Sequence, residues 1–160
     1  ILLTLPVSSA AVAIALSLNG LAAGAATVGC CAQMVGFAVM SFRDNRWSGL
    51  LSQGLGTSML QMPNIVKNPK VWLPPIIASA ILGPLATLVF QMQNIPSGAG
   101  MGTSGLVGQV GTLDAMGGAP SVWLAIGLLH FVLPALLTWL IAIAMRRIGW
   151  IKDGDLKLDA

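Results

Sequence analysis

The stretches "GLGTSMLQ", residues 54–61, and "GMGTSGLV", residues 100–107, share a Gly-x-Gly-Thr-Ser core. Each lies between apolar runs of about twenty residues, the length needed to cross a hydrocarbon layer about 30 Å thick. The chain around them is 56% hydrophobic and 8% charged, whereas about a quarter of a soluble globular chain is charged. It reads as an all-α integral membrane protein in which two Gly-rich turns interrupt the helical pattern.

Four apolar stretches have spanning length: Ile1 to Leu18, Leu21 to Phe42, Val71 to Phe90 and Val122 to Met145. Pro74, Pro75, Pro84 and Pro134 interrupt the third and fourth, and prolines kink or break membrane helices. Lys and Arg favour the cytoplasmic side. Arg43, Arg46, Lys67 and Lys70 flank spans two and three, Arg146, Arg147, Lys152 and Lys157 follow span four, and residues 91–121 carry no Lys or Arg. Residues 43–70 and the C-terminus are therefore expected in the cytoplasm, with residues 91–121 on the opposite side. The division expected is a membrane-embedded domain over 1–150 and a cytoplasmic tail over 151–160, with Trp150 at the boundary.

Both long connections are too apolar for solvated loops and too rich in Gly and Pro for spanning helices. Such segments dip into the membrane and return, their irregular backbone covered by protein or lining a wet cavity. The turns at 54–58 and 100–104 would be the tips of two re-entrant hairpins that enter from opposite sides and are expected to meet near the midplane, as in an inverted repeat of a transporter. Gly54, Gly56, Gly100 and Gly102 would let the backbone turn sharply, and Thr57, Ser58, Thr103 and Ser104 would present hydroxyls. Close packing of re-entrant helices would account for the glycines equally.

Gln61, Asn64, Gln109 and Asp114 follow the two tips and suit a polyhydroxylated ligand, since amides and carboxylates pair with adjacent hydroxyls. The alternative is that they satisfy backbone groups freed in broken helices. Asp114 is the only acid between Asp44 and Asp153. His130, four residues before Pro134, is a candidate for ligand contact or proton relay, or a helix bridge through one hydrogen bond. The candidate binding set is Gly56, Thr57, Ser58, Gln61, Asn64, Gly102, Thr103, Ser104, Gln109, Asp114 and His130.

Gly20 and Gly24 form a GxxxG pair that favours close helix packing. Cys30 and Cys31 are adjacent in an apolar run and read as small packing residues. The five acids are all aspartates (Asp44, Asp114, Asp153, Asp155 and Asp159) and there is one His, so no chemistry requiring an intramembrane Glu is available within these residues. No phosphate-binding loop, nucleophile elbow or HExxH helix occurs, and no catalytic residue, metal ligand set or cofactor motif is assigned. The net charge of +3 comes from basic residues at span ends and does not suggest nucleic-acid binding. The first apolar segment has no basic n-region of its own and does not look like a secretory signal peptide, and the chain reads as a piece of a longer protein.

The segments "GLAAGAATVGCCAQMVGFAVMSFRDNRWSGLLSQGLGTSMLQMPNIVKNP", "ILGPLATLVFQMQNIPSGAGMGTSGLVGQVGTLDAMG" and "GWIKDGDLKL" resemble the enzyme IIC membrane proteins of the bacterial phosphotransferase system. The resemblance runs from about Leu5 to Leu158 and is to the sugar permeases that stand apart from the glucose-type branch. It implies a C-terminal half of a multi-pass permease in the bacterial cytoplasmic membrane, dimeric in lipid. Its partners would be a sugar and the soluble IIA and IIB phosphocarriers. Phosphoenolpyruvate would be the donor, and no phosphorylation site is located in this chain. Glucose-type permeases hold sugar with a Glu and a His, so the missing Glu leaves Asp114 and the amides as substitutes, or places the acid elsewhere. Two other readings stay open: a membrane-embedded small-molecule sensor signalling through the tail, and an ion-coupled transporter using His130 and Asp114.

Overall fold

The structure, a computed structural model, describes residues 1–158, and the last two residues of the expected tail, Asp159 and Ala160, lie outside the described residues. The described residues are helical with no extended strand. Among the described residues three helices are long and apolar enough to cross a membrane: Gly20–Met40, Pro69–Leu88 and Pro120–Arg147. They match the second, third and fourth expected spans to within two residues at each end.

In chain order the α-helices are α1 (Ser9–Ala15), α2 (Gly20–Met40), α3 (Phe42–Leu51), α4 (Met62–Lys67), α5 (Leu73–Leu88), α6 (Pro96–Ala99), α7 (Val107–Met116), α8 (Pro120–Ile126) and α9 (Leu133–Arg147). α2 is the axial element. It is apolar on every side, as a helix enclosed by neighbours must be, and α5 and α9 pack along it. Gly36 marks the crossing: a Cβ there would lie 2.8 Å from the Thr138 hydroxyl and 3.2 Å from Pro75. One core gathers Val28, Ala32, Leu82, Met92, Ile126 and Leu129 on one half of α2. A second joins Phe37 and Met40 with Ile65, Val71, Met145 and Leu156 at its far end. The outer faces of α5 and α9 leave Ile77, Ile81, Leu136, Trp139 and Leu140 exposed, an arrangement that suits contact with lipid or with further membrane helices.

The first apolar stretch departs from expectation. It holds only the seven-residue helix α1, about 10 Å long at 1.5 Å per residue, against the roughly 30 Å of a span. The causes are local. Pro6 precedes Ser8, whose side chain caps the helix by accepting from the Ala11 N–H, and Ser17 turns the chain at φ +49°. α1 instead covers the second Gly-rich turn, with the Ser9 hydroxyl donating to the Gly100 carbonyl at 2.6 Å.

The GxxxG pair also finds a different partner. Gly20 exchanges both backbone hydrogen bonds with Asn94, at 3.1 and 3.2 Å, and a Cβ on Gly24 would sit 1.9 Å from the Met92 carbonyl oxygen. The small face of α2 thus receives an extended backbone, not another helix. Gly24→Leu is expected to destabilise the protein by at least about 3 kcal/mol, because the obstacle is backbone and cannot rotate away. A thermal unfolding scan of the purified protein in detergent checks this.

Candidate functional site

The two segments between spans attach to opposite ends of α2. Residues 42–68 begin at its Met40 end, and residues 91–119 are tied to Gly20 at the other. Their Gly-rich turns nevertheless touch. The Thr103 hydroxyl donates to the Gly54 carbonyl at 2.5 Å, and the Ser104 hydroxyl donates to the Gly56 carbonyl at 2.9 Å. Thr103 also lies 3.6 Å from the Met34 sulfur, which places the meeting about two-thirds of the way along α2 from Gly20.

The two turns share a motif but not a backbone. Residues Ser52–Gly56 form a π-helical turn and Thr57 is extended; neither Gly54 nor Gly56 has a positive φ. These two glycines turn the chain without left-handed backbone. The second turn does use it: Gly102, Gly105 and Leu106 have φ of +56°, +52° and +59°. At Gly102 close approach adds to conformation, since a Cβ would be 2.8 Å from the Cys30 backbone. Leu106 is a left-handed residue with a side chain, a strained state that persists where surrounding structure imposes it and that clusters at working sites.

Beside the second turn, α7 and the last long helix contribute a buried polar pair. Gln109 Nε2 and His130 Nδ1 are 3.0 Å apart, and the same amide nitrogen lies 3.6 Å from the Cys31 sulfur. Gln109 Oε1 and His130 Nε2 are buried without a hydrogen-bond partner. Unpaired buried polar atoms of this kind are costly and uncommon. His130 belongs to a π-helical segment, Gly127–Val132, for which Pro134 supplies a cause: it has no N–H to offer the carbonyl four residues back, and the helix widens there by one residue per turn.

The other expected site residues are placed differently. Gln61 and Asn64 are buried and bonded within the chain: Gln61 Nε2 donates to Gln53 Oε1 at 2.9 Å and to the Leu156 carbonyl at 3.0 Å. Asn64 Nδ2 donates to Gln61 Oε1 at 2.9 Å and to the Lys157 carbonyl at 2.8 Å. Thr57 caps the following turn through the Met59 N–H. Ser58 pairs with Thr4 at 2.9 Å. Asp114 is exposed, five residues beyond Gln109 and so about 140° around α7 from it. It does not join the Gln109–His130 pair.

Three polar residues not singled out from sequence are central to this geometry. Asn94, 1% exposed, gathers Thr27, Gly108 and Thr112 at its Nδ2. Gln53 links Gln61 to Ser41 at 2.9 Å. Gln33 accepts from Thr4 and from the Trp72 indole at 2.9 Å, and its own Nε2 is buried without a partner. Each is an amide inside an apolar run, a signal that was visible. A cavity of about 190 Å³ beside the first turn is lined by apolar groups including Val35, Ala38, Gly54 and Phe131.

A family model described as "Phosphotransferase system, EIIC" matches residues 1–158. The chain belongs to this family. Comparison with curated proteins and with solved structures gives no match. EIIC membership and three long apolar helices together make the chain a membrane permease component of a phosphotransferase system. The joined turns and the Gln109–His130 pair bring buried polar groups together beside α2.

Proposed function

We infer that the chain carries a sugar across the bacterial cytoplasmic membrane for phosphorylation by IIA and IIB partners, with its C-terminus in the cytoplasm. The sugar-binding residues of this reading are Thr103, Ser104, Gln109 and His130, with Gly56 and Gly102 admitting the ligand to the backbone. Thr57 and Ser58 shape the first turn, Gln61 and Asn64 support it from beneath, and Asp114 lies toward the outer approach. The two turns are the tips of re-entrant segments, and the permease works as a homodimer in lipid.

One observation carries the reading: turns attached to opposite ends of α2 meet about two-thirds of the way along it from Gly20, with unpaired amide and imidazole atoms next to them. Backbone carbonyls, hydroxyls, an amide oxygen and an imidazole nitrogen can together accept from and donate to neighbouring sugar hydroxyls. The contact between the turns is two hydrogen bonds, so exchanging it for contacts to a ligand is energetically accessible at about 1 kcal/mol per bond.

Membrane vesicles containing the full-length protein, given a panel of labelled sugars with and without phosphoenolpyruvate and the general phosphotransferase components, test this. Uptake that requires the donor and delivers sugar phosphate is the expected result. Uptake driven by an imposed pH gradient alone would favour ion coupling, and the absence of uptake for every sugar would favour a sensor.

A further inference from the structure

After Arg147 the chain returns beneath the Met40 end of α2. Ile151 and Leu156 anchor this return at 2% and 0% exposure, in the core that holds Phe37, Met40 and Ile65. Side-chain amides hold its backbone. Asn45 donates to the Leu156 carbonyl at 2.7 Å and accepts from the Leu158 N–H at 2.8 Å, the pairing that a neighbouring strand would make. Asn68 donates to the Trp150 carbonyl at 3.1 Å, and Gly154 N–H reaches Asp44 at 3.1 Å.

Gln61 and Asn64 complete the clamp and extend it. Both N–H groups of Gln61 are used, one on Leu156 and one on Gln53. Gln53 in turn spends both of its own on Ser41 and on the Gly49 carbonyl. Gln53 sits in the π-helical turn whose Gly54 and Gly56 carbonyls receive Thr103 and Ser104. Hydrogen bonds therefore run from the tail through Gln61 to Gln53, whose own backbone carries them into the turn that receives Thr103 and Ser104.

We propose that residues 151–158 are a latch on the first Gly-rich turn. Docked, the tail fixes Gln61 and, through it, the register in which the turn receives Thr103 and Ser104. Displaced, it strips Gln61 and Asn64 of one partner each, and a buried unpaired amide is costly enough to drive rearrangement of the turn. Tail docking and turn conformation are then two readings of one equilibrium. The latch depends on this hydrogen-bond chain and not on the identity of the transported molecule.

Hydrogen exchange of the full-length protein in lipid nanodiscs tests it. Leu156→Glu should speed exchange at least tenfold in peptides covering residues 50–62 and 100–108, while peptides within 120–138, outside the core that holds Leu156, keep wild-type protection. Lys157→Ala, which leaves the tail backbone and its anchors in place, should change neither. Unchanged exchange at the turns in Leu156→Glu overturns the latch. If that variant does not fold, the wild type decides: the tail amides and the turn amides must open at rates within tenfold of each other, and a tail that opens far faster than the turn overturns it.

Discussion

Asn94→Asp is expected to destabilise the protein by about 4 kcal/mol although it changes no volume. Asn94 is 1% exposed, and its Nδ2 faces three acceptors: the Thr27 hydroxyl at 2.6 Å, the Gly108 carbonyl at 2.9 Å and the Thr112 hydroxyl at 3.2 Å. Its Oδ1 accepts from the Ile95 N–H at 2.8 Å. A carboxylate would turn an acceptor toward a carbonyl and two hydroxyls already donating elsewhere, and would bury a charge with no cation near it. The second segment is shaped around this one side chain, since a Cβ on Gly98 or on Gly111 would stand 2.3 Å from its Oδ1. Asn94→Ala keeps the Gly108 carbonyl paired with Thr112 and leaves chiefly a small cavity and the Ile95 N–H unpaired, so its cost should be smaller, about 2 kcal/mol. Chemical unfolding in detergent separates the two. Equal stability of Asn94→Asp and wild type would show that the amide does not face these acceptors.

The second large effect separates stability from function. Gln109 Oε1 and His130 Nε2 are buried without partners, so replacing both side chains by apolar ones of similar size removes two unpaired groups together. Such paired replacement is commonly neutral or stabilising. The double variant Gln109→Met/His130→Leu is therefore expected to unfold at the same temperature as wild type or a few degrees higher. Donor-dependent sugar uptake should nevertheless fall by about 100-fold, the value of two lost ligand hydrogen bonds at about 1.4 kcal/mol each. A pair that only bridges helices would give the opposite pattern, with uptake retained. Initial-rate uptake alongside a melting curve reads both.

The apolar runs and the basic residues at their ends made the three long helices legible, because spanning a bilayer imposes length and charge placement on sequence directly. The failure at Ile1 to Leu18 came from weighing composition above punctuation: Pro6, Ser8 and Ser9 already signalled a short, capped helix. Gly24 was legible as a close contact but not as a contact with extended backbone, because a small residue records only that something approaches. Contact between the turns at 54–58 and 100–104 followed from their repeated motif and opposite points of entry. Their different backbones did not, since Gly permits both conformations. Gln61 and Asn64 were recognised as buried polar groups, yet their partners are main-chain carbonyls of the tail, and a carbonyl leaves no mark in sequence. Asn94 and Gln53 stand out in the sequence only as amides in apolar runs, and nothing there marks the hydroxyls and helix carbonyls that they meet.

On the proposed reading the two turns, which meet about two-thirds of the way along α2 from Gly20, part for transport. This is tested by joining Gly56→Cys to Ser104→Cys with a short, reducible bifunctional thiol reagent in a full-length protein with Cys30 and Cys31 replaced, combined with uptake. A Cβ at Gly56 meets nothing within 4 Å, so the substitution itself is tolerated. Formation of the cross-link in membranes, loss of donor-dependent uptake, and recovery of uptake on reduction are the predicted results. Failure of the pair to cross-link, or full uptake with the bond intact, would contradict the claim.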